Sequence, residues 1–550
     1  MKENFRQFLD RLRQAGELVD LHQAVDIRHI ATLVDQAKTA LYFHNVIGYD
    51  VPVVSGLVRS KERATMSMGC EKFEDIEHKL AAAIAKPIPP KYVNGSPTRD
   101  MVMEGDDVDL FKLPIPMSSI YDGGPMITAG VVIARDPEFG LNSGVYRMIV
   151  KEKALTGIDI VTPNNMRFFA QRALERKEPL PISISIGTHP FEFAGAGFRA
   201  PLGTDEMGIA GGLRGEAVQL APCSTVDVPY IADAEIVLEA EILPTGWTWP
   251  EGRFGEFTRL MGGLHWNPLV RIKAVAMRKD AVYYNLHMPW ENTWLAAPTR
   301  YTAIRQALKT ANVQVTGLNV TLGGCAFWHA VVQIKKGAAG DGKNALLAAL
   351  SVMDLKHVVV IDDDIDINNP TDVEWAIATR VQGDKDVVII PGARAKPLDP
   401  SLLQGAGVVP IGTKVGIDAT IPEHIPKEHY ERITYAYAET AKIDDYVKGK
   451  KDAAGKSGNE SAVETLAKKI LEAIDKEPLY YTDIAERFAE YDFNTVARAL
   501  GYLHQTEKLW QDPKGKMCVR GSKFAAVLPT KKYAVAACSV HPPLEGEGRE

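Results

Sequence analysis

Trp249-Pro250-Glu251-Gly252-Arg253-Phe254-Gly255-Glu256-Phe257 follows a strand-like run, Ala234 to Pro244. Its two carboxylates stand five positions apart with two glycines between them and a proline in front. Glycine and proline in that order require a tight backbone turn. A tight turn near a strand end is where reactive side chains project from a rigid scaffold. Taken alone, the pair reads equally as two solvated acids on a surface loop.

Outward from this turn, residues 105 to 275 are mostly short apolar runs broken by Gly and Pro: Ile127 to Ala134, Tyr146 to Lys151, Ile182 to Gly187 and Val270 to Met277. That spacing predicts a barrel or sandwich-like sheet, with a helix at about Met166 to Arg176 laid across it. From 299 to 440 the texture changes. Helical stretches (Tyr301 to Thr310, Ala345 to Met353, Val373 to Val381) alternate with buried-type strands (Val358 to Ile361, Asp386 to Pro391), the α/β pattern. Asn369-Pro370-Thr371-Asp372 supplies a cap, a proline and an acid for a helix start.

Toward the N-terminus, Phe5, Phe8, Leu9 and Leu12 fall at helical spacing before Gly16, and a second helical pattern covers about Asp26 to Ala40. A strand, a turn and another strand follow to Gly56, then a helix from Lys72 to Ala85. At the other end, residues 447 to 460 are rich in Gly, Lys and Ser and read as a linker. Three helical patterns (461 to 474, 482 to 490, 494 to 505) and a small wing joined through Asp512-Pro513-Lys514-Gly515 come next. Residues from about 530 are expected to be disordered.

The composition is that of an ordinary soluble globular protein, 46% hydrophobic and 24% charged over 550 residues. A formal charge of −7 gives no polyanion-binding signature. The five scattered cysteines include no CxxC, which fits a reducing cytoplasm and argues against a cysteine-built zinc site. The polar start, Met1-Lys2-Glu3-Asn4, predicts no secretory signal, and no apolar run approaches the roughly 18 residues of a membrane helix.

Two further segments join the acidic turn. Gly140-Leu141-Asn142-Ser143-Gly144-Val145-Tyr146-Arg147-Met148 places an asparagine and an arginine five apart around a small, backbone-exposing step. Gly203-Thr204-Asp205-Glu206-Met207-Gly208-Ile209-Ala210-Gly211 lies between it and the turn. Together and in this order, N-x4-R, E-x-G-x-x-G and E-G-x-F-G-E resemble the UbiD family of prenylated-FMN-dependent decarboxylases. Phe43-His44-Asn45-Val46-Ile47-Gly48-Tyr49 is similar to that family's N-terminal signature. So is Lys356 to Ile367, continuing through Asp372 to Arg380. The likeness covers about residues 5 to 440.

The resemblance implies an α+β / α/β chain. Its parts would be an N-terminal α+β segment (1–105), a split β-barrel-like flavin-binding domain (106–298) and an α/β oligomerisation domain (299–445). A linker (446–460), a winged-helix-like extension (461–525) and a tail (526–550) would follow. It implies a non-oxidative, reversible decarboxylase of an aromatic or α,β-unsaturated acid or an aryl-CoA, with CO2 as co-product. A separate flavin prenyltransferase would supply the cofactor, and the assembly would be a homodimer or homohexamer. Loss of CO2 from an sp2 carbon needs an electron sink, which the modified flavin provides. Arg147 would orient the substrate carboxylate, Glu256 would protonate the carbon, and Glu251 would tie the two into a hydrogen-bonded triad.

By the same resemblance, Asn142, Ser143, Val145, Tyr146, Arg147, Ala196, Gly197, Phe198 and Glu206 surround the cofactor. Lys356 either pairs with its phosphate or caps its own strand. The family holds a divalent metal, usually manganese, with potassium nearby; hard oxygen ligands suit it. Asn142 and Glu206 match two ligands. The third, a histidine in ferulic acid decarboxylases, is replaced in Pro163-Asn164-Asn165, so Asn165, water or His189 would complete the set.

Other features read more plainly. Asp362-Asp363-Asp364-Ile365-Asp366 reads as solvated acids at a helix start rather than a second metal site. Trp290, Trp294, Phe327 and Trp328 read as core, with Leu286 to Trp290 falling where the family shapes its substrate pocket. A plain FMN oxidoreductase on a similar fold would leave the arginine and two glutamates without a role. A winged-helix DNA-binding protein would need more than the single arginine of Asn494 to His504.

Overall fold

Strand Leu180–Ile186, Leu-Pro-Ile-Ser-Ile-Ser-Ile, shows how the central sheet is made. Alternate residues of a strand face opposite sides. Ile182, Ile184 and Ile186 therefore pack with Phe169, Leu238 and Ile272. Ser183 and Ser185 face the other way. There Ser183 Oγ donates to the Pro229 carbonyl at 2.6 Å, and Ser185 Oγ accepts from the Ile231 N–H at 3.2 Å. Strand Val131–Asp136 divides likewise, Val131 and Ile133 into one core and Val132 and Ala134 into the other.

The computed structural model describes residues 3–396, 398–402, 410–453 and 455–527. The disorder expected from about residue 530 lies outside them. Two compact units emerge, 1–426 and 427–550.

In the first unit a nine-stranded sheet runs Met126–Ile127, Met148–Glu152, Leu155–Gly157, Leu269–Met277, Ile236–Ile242, Leu180–Ile186, Val131–Asp136, Gly140–Val145. Met101–Glu104 pairs beside Leu269–Met277. Gly140–Val145 is one end of this path, and Met148–Glu152 stands next to the other. Only Tyr146 and Arg147 lie between these two strands. The sheet must therefore curl until its ends stand within roughly 11 Å, three Cα steps. No ladder joins those ends among the described residues, so the expected barrel is corrected to an open, curled sheet. Helix Asn165–Arg176, capped by Asn164, buries Met166, Phe169, Ala170 and Ala173 against it, a 3.6-residue stripe.

The N-terminal region pairs Leu18–Val25, Ala40–Val46, Val53–Ser55 and the distant Tyr283–Asn285 in a four-stranded sheet. Leu18–Val25 was not expected, because its alternation is masked by Asp20, His22 and Gln23. The helix expected over 26 to 40 is shorter, a turn Ile27–His29 and then Ile30–Gln36. Helix Trp290–Thr310 runs unbroken, with Pro298 inside it, across the expected boundary at 298/299. Beyond it, a five-stranded mixed sheet takes the order Val315–Val320, His329–Ile334, His357–Asp362, Ile411–Ala419, Val387–Arg394. The acids of 362–366 are drawn into this packing: buried Arg380 pairs with Asp362 at 3.3 Å and bonds Asp364.

In the second unit, helices Glu460–Lys476, Tyr481–Arg487 and Phe493–Gln505 enclose Leu466, Ile470, Ile484 and Leu500. Strands Leu509–Gln511 and Met517–Val519 form the expected hairpin. Arg498, the one arginine of Phe493–Gln505, donates to the Gly458 carbonyl at 3.1 Å. No helix among the described residues is long and apolar enough to cross a membrane.

Candidate active site

Arg147 sits at the crossing between the sheet ends, 11% exposed in its side chain. Its Nη1 donates to Glu256 Oε1 at 2.7 Å, and its Nη2 stands 2.6 Å from Asp159 Oδ2. The guanidinium lies 4.8 Å from the centre of the Phe254 ring. Its Nε is buried with no hydrogen-bond partner among the described residues. A buried N–H without an acceptor is costly, so this edge of the fork suits a carboxylate brought by a ligand.

Glu256 is held by its own turn. Its N–H donates to the Leu260 carbonyl at 2.9 Å, and the Gly262 N–H donates to the Phe254 carbonyl at 2.8 Å. Burial pushes its carboxyl above the usual range, against the opposing pull of Arg147. Burial also raises Glu251. Glu251 ends strand Trp249–Glu251, paired with His265–Asn267. Its Oε1 accepts from the Ile149 N–H at 2.8 Å, and its Oε2 stands 3.1 Å from Lys151 Nζ. Residue 157 must be glycine for this, since a Cβ there would stand 1.8 Å from Glu251 Oε2.

The triad expected from the sequence is therefore only partly assembled. Arg147 pairs with Glu256, but its second ion pair is with Asp159, not Glu251. Asp159 in turn stands 3.2 Å from His265 Nδ1 and accepts from Asn267 Nδ2 at 3.3 Å. Burial works against its charge, but the His265 bond and the Arg147 cation more than offset it, holding Asp159 at about 2. Sequence reasoning missed Asp159 and His265. A hairpin prediction across 249–267 would have placed His265 opposite Glu251, whereas nothing local marks Asp159.

A cavity of about 530 Å³ lies alongside. Asn142, Ser143, Val145 and Tyr146 line it, as do Ala196, Gly197, Phe198, Glu206 and Asn165. Arg147 and Glu256 stand next in the chain to Tyr146 and Phe257, which form part of its wall. Glu206 opens helix Glu206–Arg214 behind the Asp205 cap. It accepts from Asn142 Nδ2 and from the Ser143 N–H, both at 2.8 Å. Burial raises Glu206 to about 7. Among the described residues Asn142 Oδ1 and Ser143 Oγ are buried without partners. At the same cavity stand Arg199, Arg300 and Lys396, which the sequence reading did not single out. Burial, with Arg300 beside it, lowers Lys396 to about 7 although Asp354 opposes the shift.

One expectation is corrected here, and one of the three alternatives for the third metal ligand falls away. Lys356 does not line this cavity; its Nζ pairs with Asp399 at 2.7 Å and Ser401 Oγ at 2.8 Å. His189 is not a third metal ligand: its Nδ1 caps helix Pro190–Ala196 and its Nε2 stands 3.2 Å from Glu3. Asn165 does face the cavity, donating through Nδ2 to the Ala200 carbonyl at 3.2 Å. Among the described residues no group of three His, Cys, Asp or Glu is placed to hold a metal. The unpartnered Asn142 oxygen beside an uncompensated buried carboxylate nevertheless fits a hard cation completed by ligand oxygens.

Residues 9–82, 91–289 and 293–419 match, in turn, the N-terminal, Rift-related and C-terminal domains of 3-octaprenyl-4-hydroxybenzoate carboxy-lyase, UbiD. The chain belongs to the UbiD family. UbiD enzymes are carboxy-lyases, and this protein is one. It is 36% identical over 420 residues to the anhydromevalonate phosphate decarboxylase of Methanothermobacter thermautotrophicus, covering 76% of this chain and 96% of that one. The UbiD-class enzyme HmfF from Pelotomaculum thermopropionicum, solved with FMN, superposes with TM-score 0.75 at 37% identity, over 81% of this chain and all of that one. An evolved dimeric form of HmfF is solved with prFMN. The 3,4-dihydroxybenzoic acid decarboxylase of Klebsiella pneumoniae gives 0.73 at 27% identity, over 82% of this chain and 99% of that one. The family models end at residue 419, just before the second unit begins at 427.

Proposed function

We propose that the protein is a non-oxidative, reversible decarboxylase using prenylated FMN, acting on a carboxylic acid conjugated to an aromatic ring or a double bond. The observation that carries this is the buried Arg147 Nε without an acceptor, beside a glutamate whose acid form is favoured. The names of the relatives support more than one substrate class, a phosphorylated acid in the archaeal enzymes and a hydroxybenzoate in the Klebsiella one.

When bound, prenylated FMN supplies the electron sink for the charge left as CO2 departs. The cavity walls at Tyr146 and Ala196-Gly197-Phe198 would hold its ring system. Arg300 and Lys396 would hold its phosphate, with Asn142, Glu206 and Asn165 around a divalent cation, manganese by family likeness, and potassium nearby. Arg147 would bind and orient the substrate carboxylate through its free edge. The charge-assisted contact is strong in so dry a place. Glu256, protonated, would deliver its proton to the carbon that has lost CO2. Glu251, fixed by Ile149 and Lys151, would hold the Met148–Glu152 strand in place behind them. A flavin prenyltransferase would supply the cofactor, and the HmfF dimer favours a homo-oligomer.

The test is production alongside a flavin prenyltransferase, mass spectrometry of the released cofactor, and a CO2-release screen over aromatic, 2-enoic and phosphorylated acids. Prenylated FMN with CO2 release from one class is expected. Plain FMN and no CO2 from any acid would overturn the reading.

A further inference from the structure

Two carboxyl side chains share one cation in this site. Arg147 carries a single positive charge, and both Asp159 and Glu256 lie within 2.7 Å of it. If all three were ionised the cluster would hold a net negative charge in a poorly hydrated place, so one acid keeps a proton. Which acid keeps it decides whether the site has a proton to give.

The surroundings of the two acids are unequal. Asp159 has the Arg147 cation, the His265 ring at 3.2 Å and the Asn267 amide at 3.3 Å. Asn267 is itself held, because its Oδ1 accepts from the Ile160 N–H at 3.0 Å. Among the described residues Glu256 has only Arg147 as a side-chain partner. His265 Nδ1 is 3.2 Å from Asp159 and 3.3 Å from Arg147 Nη2. Facing two such neighbours, the tautomer with a proton on Nδ1 serves the carboxylate, while Arg147 needs no acceptor there. Further out, Asp122 and the Glu251–Lys151 pair also face Arg147 or its neighbours, and Arg253 donates to the Gly262 carbonyl.

We propose that Asp159, fixed by His265 and Asn267, is a positioning residue that neutralises Arg147 and so leaves the proton on Glu256. The inference rests on the reading of Glu256 as proton donor. Asp159 touches no reacting atom. It holds the arginine fork in one orientation and supplies the negative charge that would otherwise be drawn from Glu256. The depressed carboxyl of Asp159 and the raised one of Glu256 agree with this division.

Asp159's negative charge raises Glu256 against the pull of Arg147; without it that pull is no longer offset by a like charge, and charge effects at this range move a carboxyl by about 1–3 pH units. In Asp159→Asn the high-pH limb of kcat should therefore move down by about one unit or more, with Asp159→Glu restoring it. A second readout needs no cofactor: the infrared carbonyl band of protonated Glu256, identified by its loss in Glu256→Gln, should titrate at lower pH in Asp159→Asn. His265→Phe, which leaves the aspartate but removes its ring partner, should move the band in the same direction by less. A band that titrates unchanged in folded Asp159→Asn, or in His265→Phe should the first variant not fold, would overturn the proposal. Turnover surviving in Glu256→Gln would instead sink the proton-donor reading, with the infrared shift still reporting on Asp159.

Discussion

Arg147 donates a 2.7 Å hydrogen bond to Glu256 while its buried Nε meets no acceptor among the described residues. The guanidinium is thus held through both Nη atoms and unpaired only at Nε among the described residues. A fork held in this way can receive a carboxylate without first being ordered, which reduces the cost of binding.

Glu256→Gln keeps the shape and the Arg147 contact but removes the proton. Turnover should fall by about 10²–10⁴-fold, while the flavin absorbance of the purified protein stays the same. Steady-state CO2 release and a cofactor spectrum on one preparation check both halves. Activity near wild type would remove Glu256 from the chemistry.

Arg147→Lys keeps the charge and loses the planar fork. Lysine supplies the same single charge as a point but cannot offer the planar fork. kcat/KM should drop at least tenfold with a modest change in melting temperature. Arg147→Ala, which strands the buried Asp159 carboxylate, should in addition destabilise the fold by about 3–5 kcal/mol. Equal kinetics for wild type and the lysine variant would contradict the carboxylate-orienting role.

Glu206 gives a pH signature. Its carboxyl is raised from 4.5 to about 7 in the folded chain, chiefly by burial. Between those values the native state keeps a proton that the unfolded chain has lost, so native stability falls as pH climbs through this window. A divalent cation at Asn142 and Glu206 would supply the missing positive charge. Manganese added to cofactor-free protein should raise the melting temperature more at pH 8 than at pH 5, and Glu206→Gln should flatten the difference. A manganese effect independent of pH would speak against this site.

Lys356 and Lys396 separate two readings of the flavin phosphate. Lys396→Ala should lower the flavin content of the purified protein, because that side chain faces the cavity. Lys356→Ala should leave flavin content unchanged, since Lys356 is committed to Asp399 and Ser401. Flavin-to-protein ratios for the two variants decide it, and the reverse pattern would restore Lys356 to the site.

What the sequence determined by itself was local. Apolar alternation in Leu180–Ile186, the 3.6-residue stripe of Asn165–Arg176 and the caps at Asn164 and Asn369 depend on neighbouring residues and their solvation, so they are legible in order. The three spaced motifs also named the family, and several of their residues do line one cavity. Only the tertiary structure decided which groups meet. Arg147 and Asp159 lie twelve positions apart, yet their pairing, like the 109-residue reach to Glu256, depends on the curl of an open sheet and the hairpin that brings His265 alongside. Lys396 lines the cavity and Lys356 does not for the same reason. A side chain's charge is written in the sequence, whereas the direction it points and the water it loses are set by what packs around it.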